Sequence, residues 1–375
     1  MTIRAQRIPD LCVVGGGIFG LSTAWAARRR GLSVRLVEAA DIGAGASGGI
    51  VGALSPHVPE QWNPKKQFQL DALLSAADHW ARVDAESGLS SGHARTGRLL
   101  PLTDAAARSL AEARTDGARR HWGDAARWDV IEAPGWLAPH APAGCVFETL
   151  SGRIFPRRAC LSLAAACRRA GVEIVTGMPA RAVESGCVHT HTGPLPAGQI
   201  VVAAGVPGFA LMADRIGPRA GSGVKGQAAL LRHALPGDHP VLFHDGLYIV
   251  PHDDGTVAVG STSEPRYDDP TGTDAQLDAL LERARAVMPA LRDAPVIERW
   301  AGLRPKARRR DPMLGPVPGL DGVYMATGAF KIGFGIAHRV GEVLADFLTG
   351  QDPVLPDSFT VEHHMEAGHA ANPRD

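Results

Sequence analysis

Leu11-Cys12-Val13-Val14-Gly15-Gly16-Gly17-Ile18-Phe19-Gly20-Leu21-Ser22-Thr23-Ala24-Trp25 is the stretch that decides how the chain is read. An apolar run ends in G-x-G-x-x-G at Gly15, Gly17 and Gly20 and passes into small and apolar residues of helical character. The next apolar run, Val34-Arg35-Leu36-Val37, ends in Glu38. Strand, tight turn, helix and acid-terminated strand are the parts of a dinucleotide-binding βαβ unit. Gly15 permits the turn, Gly17 lets the backbone approach a pyrophosphate, and Gly20 lets helix and strand pack closely. The helix start at Ile18 and Phe19 offers N–H groups and the positive end of its dipole to phosphate. Glu38 would accept hydrogen bonds from a ribose 2′-OH and repel a 2′-phosphate. Alone, the turn suits NAD as well as FAD.

The 375 residues amount to two or three domains' worth of chain, ample for a large core. With 45% hydrophobic and 21% charged residues the composition is that of a soluble globular protein. Formal net charge is zero, so no global field recruits nucleic acid or an anionic membrane. Lys306, Arg308, Arg309 and Arg310 form a local basic cluster, best read as a solvated loop. Cys12, Cys145, Cys160, Cys167 and Cys187 contain no C-x-x-C pair and suggest neither disulfides nor a metal site. No run approaches the length of a membrane span and no signal-type apolar segment opens the chain, so a reducing cytoplasm is expected.

Further pieces of a nucleotide fold lie downstream. Residues 161–170 read as an amphipathic helix, followed by Gly171 and the strand 172–175. After a hairpin-like region at 181–195, the apolar run 199–204 ends at Gly205. The strand 323–327 leads through Gly328 to a helix from about 336 to 348. Strand ends that deliver Gly-rich turns suit one parallel sheet whose carboxyl edge binds ligand. Between these pieces, 86–147 mixes polar helical patterns with Trp and Pro turns. Residues 219–299 hold alternating strands and a helix at 274–287. The polar tail, with His363, His364 and His369, suits a loosely held terminus better than a metal site.

The glycine turn, Glu38 and Gly45-Ala46-Ser47-Gly48 resemble FAD-binding elements of the D-amino-acid oxidase superfamily, in its glycine oxidase and sarcosine oxidase branch. The resemblance continues through Gly223-Val224-Lys225-Gly226-Gln227, Leu247-Tyr248-Ile249-Val250-Pro251, Val259-Gly260-Ser261-Thr262 and Ala301-Gly302-Leu303-Arg304-Pro305, and closes with Gly328-Ala329-Phe330-Lys331-Ile332-Gly333-Phe334. These motifs cover nearly the whole chain and are specific for the superfamily, not for a substrate.

The resemblance implies an α/β protein. A Rossmann-like FAD-binding domain of the glutathione-reductase type would carry an inserted antiparallel-sheet substrate domain, as in D-amino-acid oxidase. The expected boundaries are 1–85, 148–218 and 300–355 for the FAD domain, 86–147 and 219–299 for the substrate domain, and 356–375 for the tail. FAD would lie extended, with Ala46 and Ser47 by the pyrophosphate and ribityl chain. Ala180 would present its backbone to the adenine, with Ala204 and Gly205 close to the cofactor. Gly328, Phe330, Lys331, Ile332 and Gly333 would face the pyrimidine edge of the flavin, where a helix N-terminus and Lys331 would stabilise negative charge. No cysteine stands at the covalent attachment position near 303–304, so the FAD is expected to be non-covalent, and no metal is expected.

Amine oxidation by flavin needs the substrate held so that its α-carbon faces the ring, and a carboxylate is the natural handle for an arginine fork. By resemblance Arg304 binds that carboxylate, Tyr248 donates to it, and Lys331 touches substrate or flavin. His252 would stand near the amine, and His57 in a loop near the flavin, with Trp62 packing beside it. The expected reaction is oxidation of the C–N bond of glycine, sarcosine or a small D-amino acid to an imine that hydrolyses. The acceptor would be O2, a quinone or an electron-transfer protein, and a homo-oligomer is compatible with the chain. Rival readings are an oxidase of a larger secondary amine such as a modified tRNA base, and a flavoprotein electron-transfer subunit. Zero net charge disfavours nucleic acid.

Overall fold

The computed structural model describes residues 8–366. Its first sheet has six strands. In spatial order these are Met313–Pro316, Val323–Thr327, Gln199–Val202, Leu11–Val14, Val34–Val37 and Glu173–Val175. All pairings are parallel except that of the Met313–Pro316 edge strand, which runs antiparallel to its neighbour. Side-chain alternation splits the strands between two cores. Leu11, Val13, Leu36 and Val201 face a core that includes Trp25, Trp80 and Leu344, and Cys12, Val14, Ile200 and Val202 face Val188 and Phe209. Helix Ile18–Arg29 crosses the final helix, Gly333–Leu348, at Gly341, where a Cβ would lie 2.5 Å from the Ser22 carbonyl oxygen.

Local signals place the boundaries. Pro156 starts the helix Pro156–Arg169 earlier than apolar periodicity alone indicated, because proline at the first helical position costs no hydrogen bond. Asn63 caps Pro64–Ser87 through the Lys66 N–H, and Asp274 caps Ala275–Val287 through the Gln276 N–H. The hairpin-like region is a three-stranded antiparallel sheet of Ala180–Glu184, Cys187–Thr190 and Gly193–Pro196.

The second sheet has eight strands, from Arg98–Pro101, Trp128–Ile131, Cys145–Glu148, Gly221–Arg232, Val241–His244, Leu247–Pro251, Thr256–Gly260 and Val296–Ala307. Its pairings are antiparallel apart from the one between Val241–His244 and Arg98–Pro101. The outer face, with Ala229, Leu231, Ile249, Val257 and Val259, packs on the Ala275–Val287 helix. The inner face, with Ala228, Leu230, Val250 and Ala258, packs on Ile50 and Phe155. Strand Val296–Ala307 pairs along Gly221–Arg232 and leads from this sheet toward the edge strand of the first.

Residues 356–366 correct the expectation of a loosely held tail. Phe359 and Val361 are buried, Phe359 meets the Phe68 ring edge-on at 5.4 Å, and buried His364 donates through Nε2 to the Pro312 carbonyl at 3.1 Å. Apolar side chains at 359 and 361 hold a segment whose overall polarity had suggested solvent. His369 lies outside the described residues.

Candidate active site

The glycine turn closes against the carboxyl edge of the first sheet. Gly15 has φ +114°, and a Cβ on it would lie 2.5 Å from the Ala203 carbonyl oxygen and 3.0 Å from the Ala204 Cα, so the position demands glycine. A Cβ on Gly20 would strike the Gly15 carbonyl, and one on Gly17 would crowd Ser47 Oγ at 3.1 Å. No side chain of the cap residue closes the helix start, but the Ile18 N–H donates to Ser47 Oγ at 3.0 Å. Ile18 and Phe19 are themselves buried, so only their backbone faces the turn. Ala46–Gly48 forms a single 3-10 turn beside them.

Glu38 braces this region. Its carboxylate accepts from the Gly16 N–H at 2.5 Å and the Ala40 N–H at 2.9 Å. Its carbonyl accepts from the Met178 N–H at 2.8 Å, which brings the start of Ala180–Glu184 alongside. Gly205 follows Ala204 at the same edge, and its carbonyl accepts from Thr327 Oγ1 at 3.0 Å.

The turn after Thr327 brings the two sheets together. Gly328 has φ +80° and Phe330 φ +48°, and the Phe330 N–H donates to the Pro305 carbonyl at 2.9 Å. Ala329 bridges Lys306, and the helix that starts at Gly333 has no side-chain cap at Ile332. The ammonium groups of Lys331 and Lys306 lie 5.4 Å and 6.0 Å from the Phe330 ring centre. Desolvation, and after it the charge of Arg304, lowers the Lys331 pKa.

Arg304 lies on the inner face of the second sheet. Its guanidinium covers Gly226 and donates to Ser261 Oγ at 2.6 Å and to the Thr262 carbonyl at 3.2 Å. Burial lowers its pKa to about 10, partly opposed by Glu264, yet no carboxylate forms an ion pair with it among the described residues. Tyr248 stands opposite Gly260 on the same face, with its ring 4.6 Å from Phe243, and its hydroxyl makes no hydrogen bond among the described residues.

His252 is not brought to this group. It lies four positions beyond Tyr248, about 13 Å along a strand and away from Ser261. Its Nε2 donates to the Ile50 carbonyl at 3.0 Å, its ring packs at 4.5 Å on Phe155, and burial lowers its pKa. His252 therefore belongs to the packing against Ile50 and Phe155 rather than to the group that Arg304 and Tyr248 form. His57 is fixed to Gln69, whose Oε1 accepts from both its backbone N–H and its Nδ1. Trp62 stacks on His121 at 4.3 Å. The basic cluster divides, with Lys306 at Phe330, and Arg309 donating to His363 at 2.8 Å.

Gly226, Ser261, Thr262 and Gln69 carry contacts that no role assignment from sequence included. Their signal was present only for the first three, as members of matching motifs.

Two helix starts whose cap residues supply no side-chain hydrogen bond, a glycine cradle that a Cβ would fill, and an acid at the end of the second strand fit an extended dinucleotide. The profile of the family described as FAD dependent oxidoreductase, DAO, matches residues 10–347. The chain belongs to the DAO family. It is an FAD-dependent oxidoreductase.

Relatives of this DAO-family chain include the glycine oxidase of Pseudomonas aeruginosa, 28% identical over 361 residues, covering 92% of this chain and 95% of that one. The Pseudomonas putida glycine oxidase is 29% identical over 360 residues, covering 92% and 96%. Among solved structures, glycine oxidase from Geobacillus kaustophilus superposes with a TM-score of 0.84 at 23% identity, covering 94% of this chain and 98% of that one. Iminodiacetate oxidase from Chelativorans superposes with a TM-score of 0.80 at 23% identity, covering 93% and 98%. At that identity these structures speak for the DAO fold. No helix among the described residues is long and apolar enough to cross a membrane, and no cluster of metal-ligating side chains occurs among them.

Proposed function

We propose that this DAO-family enzyme oxidises the C–N bond of a small amino acid such as glycine, sarcosine or a D-amino acid. The observation that carries the reading is Arg304, a half-buried guanidinium held by two neutral oxygens and ion-paired to no carboxylate among the described residues. Desolvation already disfavours this cation, and a substrate carboxylate supplies the missing counter-charge through paired N–H···O bonds. Tyr248, with its hydroxyl uncommitted on the same face, donates to that carboxylate, and Lys331 holds positive charge at the mouth of the site. Glycine oxidases among the relatives support the substrate class.

FAD is held without a covalent bond. Gly15, Gly17, Ile18, Phe19 and Gly20 contribute backbone to its pyrophosphate, and Glu38 binds the ribose. Ala46 and Ser47 lie by the pyrophosphate and ribityl chain, Ala180 at the adenine, and Ala204 and Gly205 beside the cofactor. Gly328, Phe330, Lys331, Ile332 and Gly333 line the flavin's pyrimidine edge. When bound, the flavin supplies a hydride acceptor for the substrate α-carbon, leaving an imine that water hydrolyses. The chain's own contribution is orientation: Arg304 and Tyr248 fix the carboxylate, and thereby which face of the α-carbon meets the ring.

The test is anaerobic addition of glycine, sarcosine or D-alanine to the purified yellow protein. Bleaching by one of these, with hydrolysis of the imine to an oxo acid and ammonia (methylamine from sarcosine), is the expected result. Failure of every amine to bleach the flavin sinks the proposal. Readmission of air to the bleached protein then separates O2 from a quinone or protein acceptor.

A further inference from the structure

A buried polar network lies on the opposite face of the sheet from Arg304. Strand alternation turns Gly226 toward the site and Lys225 and Gln227 away from it. Lys225, Gln227 and Glu264 are 3%, 0% and 6% exposed, a depth at which charged groups need partners. Gln227 Nε2 donates to Glu264 Oε1 at 3.0 Å and to Asp274 Oδ1 at 2.9 Å, while its Oε1 accepts from the Asp274 N–H at 2.8 Å. Lys225 Nζ stands 3.7 Å from Glu264 and 3.8 Å from Asp274.

Thr262 connects the network to the site. Its hydroxyl donates to Glu264 and accepts from the Gln227 N–H at 2.8 Å, and its N–H donates to the Gln227 carbonyl at 3.2 Å. Glu264 and Lys225 exchange backbone hydrogen bonds at 2.9 Å and 3.0 Å. Residues 261–264 are thereby fixed beside Gly221–Arg232 after the regular strand has ended at Gly260. The Ser261 hydroxyl and Thr262 carbonyl they present are the groups that hold Arg304.

We infer that Thr262 and Glu264 are positioning residues for Arg304, setting the direction in which its remaining N–H groups meet the substrate carboxylate. The inference rests on the carboxylate-binding reading of Arg304. A buried ion pair contributes little net stability, and its use here is geometric. Thr262→Val keeps the backbone hydrogen bonds of the segment but removes the hydroxyl that Glu264 and Gln227 grip, so the carbonyl that meets Arg304 is held less firmly.

The experiment uses FAD-loaded protein and compares Thr262→Val, Thr262→Ser, Glu264→Gln and Arg304→Ala. Acetate binding is read from the flavin absorbance, and glycine turnover is measured alongside. For Thr262→Val, the acetate Kd and the glycine KM rise by about tenfold while kcat stays within about threefold. Thr262→Ser restores both to within about threefold of the parent, and Glu264→Gln, which keeps the shape and drops the charge, raises both by about threefold. A general structural lesion would lower kcat and KM performance together and would not be rescued by serine. Parental acetate binding in both Thr262→Val and Glu264→Gln, with binding lost in Arg304→Ala, overturns the inference alone. Parental binding in Arg304→Ala overturns the carboxylate reading beneath it.

Discussion

The guanidinium of Arg304 lies where a Cβ on Gly226 would have to be, so the absence of a side chain at 226 is what lets Arg304 turn toward Ser261 and Thr262. Gly226→Ala is expected to displace the guanidinium and to lower kcat/KM for carboxylate substrates by about tenfold or more, about 1.4 kcal/mol in transition-state terms. Steady-state kinetics on the folded, FAD-loaded variant checks this, and an unchanged kcat/KM would detach Arg304 from the site.

Glu38 acts at the opposite end of the cofactor cleft. Its carboxylate ties down the Gly16 and Ala40 N–H groups, so Glu38→Ala loosens the turn and removes the acceptor proposed for the ribose. Loss of such charged hydrogen bonds is worth about 1.5–3 kcal/mol, or roughly 10–100-fold in FAD affinity. Equilibrium FAD binding to apoprotein measures it. Turnover of the fully reloaded variant should stay within about threefold of the parent.

Stability should fall on mild acidification. His79 and His338 are stacked at 4.7 Å among buried residues, and burial lowers their pKa values from 6.5 to about 2 and about 4. The folded state holds both neutral while the unfolded chain protonates near 6.5, so the unfolded state binds more protons in this window. Their contribution is intact above pH 6.5 and is lost as pH falls toward 4, on the order of 3 kcal/mol for His338 over that span. Thermal unfolding between those limits should show a steep Tm decline. His338→Gln, which can still meet Ser75, should flatten it.

Arg98 and Glu148 form an ion pair inside the second sheet at 3.0 Å, with side chains 5% and 0% exposed. Glu148 also accepts from the Leu150 N–H at 2.8 Å and the Ser151 N–H at 2.9 Å. Glu148→Ala strands the arginine and leaves those donors unmet, at a cost of about 3–5 kcal/mol. Denaturant unfolding should register that loss, and adding Arg98→Met should recover part of it.

Legibility differed by range. The turn at 15–20 and the acid at 38 were readable because their constraints are local: φ at Gly15, backbone approach at Gly17 and the end of one strand. Helix starts were less so, since Pro156 moved one boundary by a rule that periodicity does not contain. The tail misled because Phe359 and Val361 are two apolar residues in a polar stretch, and burial depends on what they meet. His252 was placed by motif position, but its partner, the Ile50 carbonyl, is 202 residues away.

By itself the sequence determined an α/β chain with a dinucleotide turn, an acid-ended second strand and a set of motifs belonging to the DAO family. Only the tertiary structure decided that Arg304 lies half-buried over Gly226 with no carboxylate ion-paired to it among the described residues, and that Ser261 and Thr262 hold it from 43 and 42 residues away. The physical reason is that a glycine turn is specified by the backbone of a few neighbours. The charge state and aim of a guanidinium are set by every group that two folded sheets bring within reach of it.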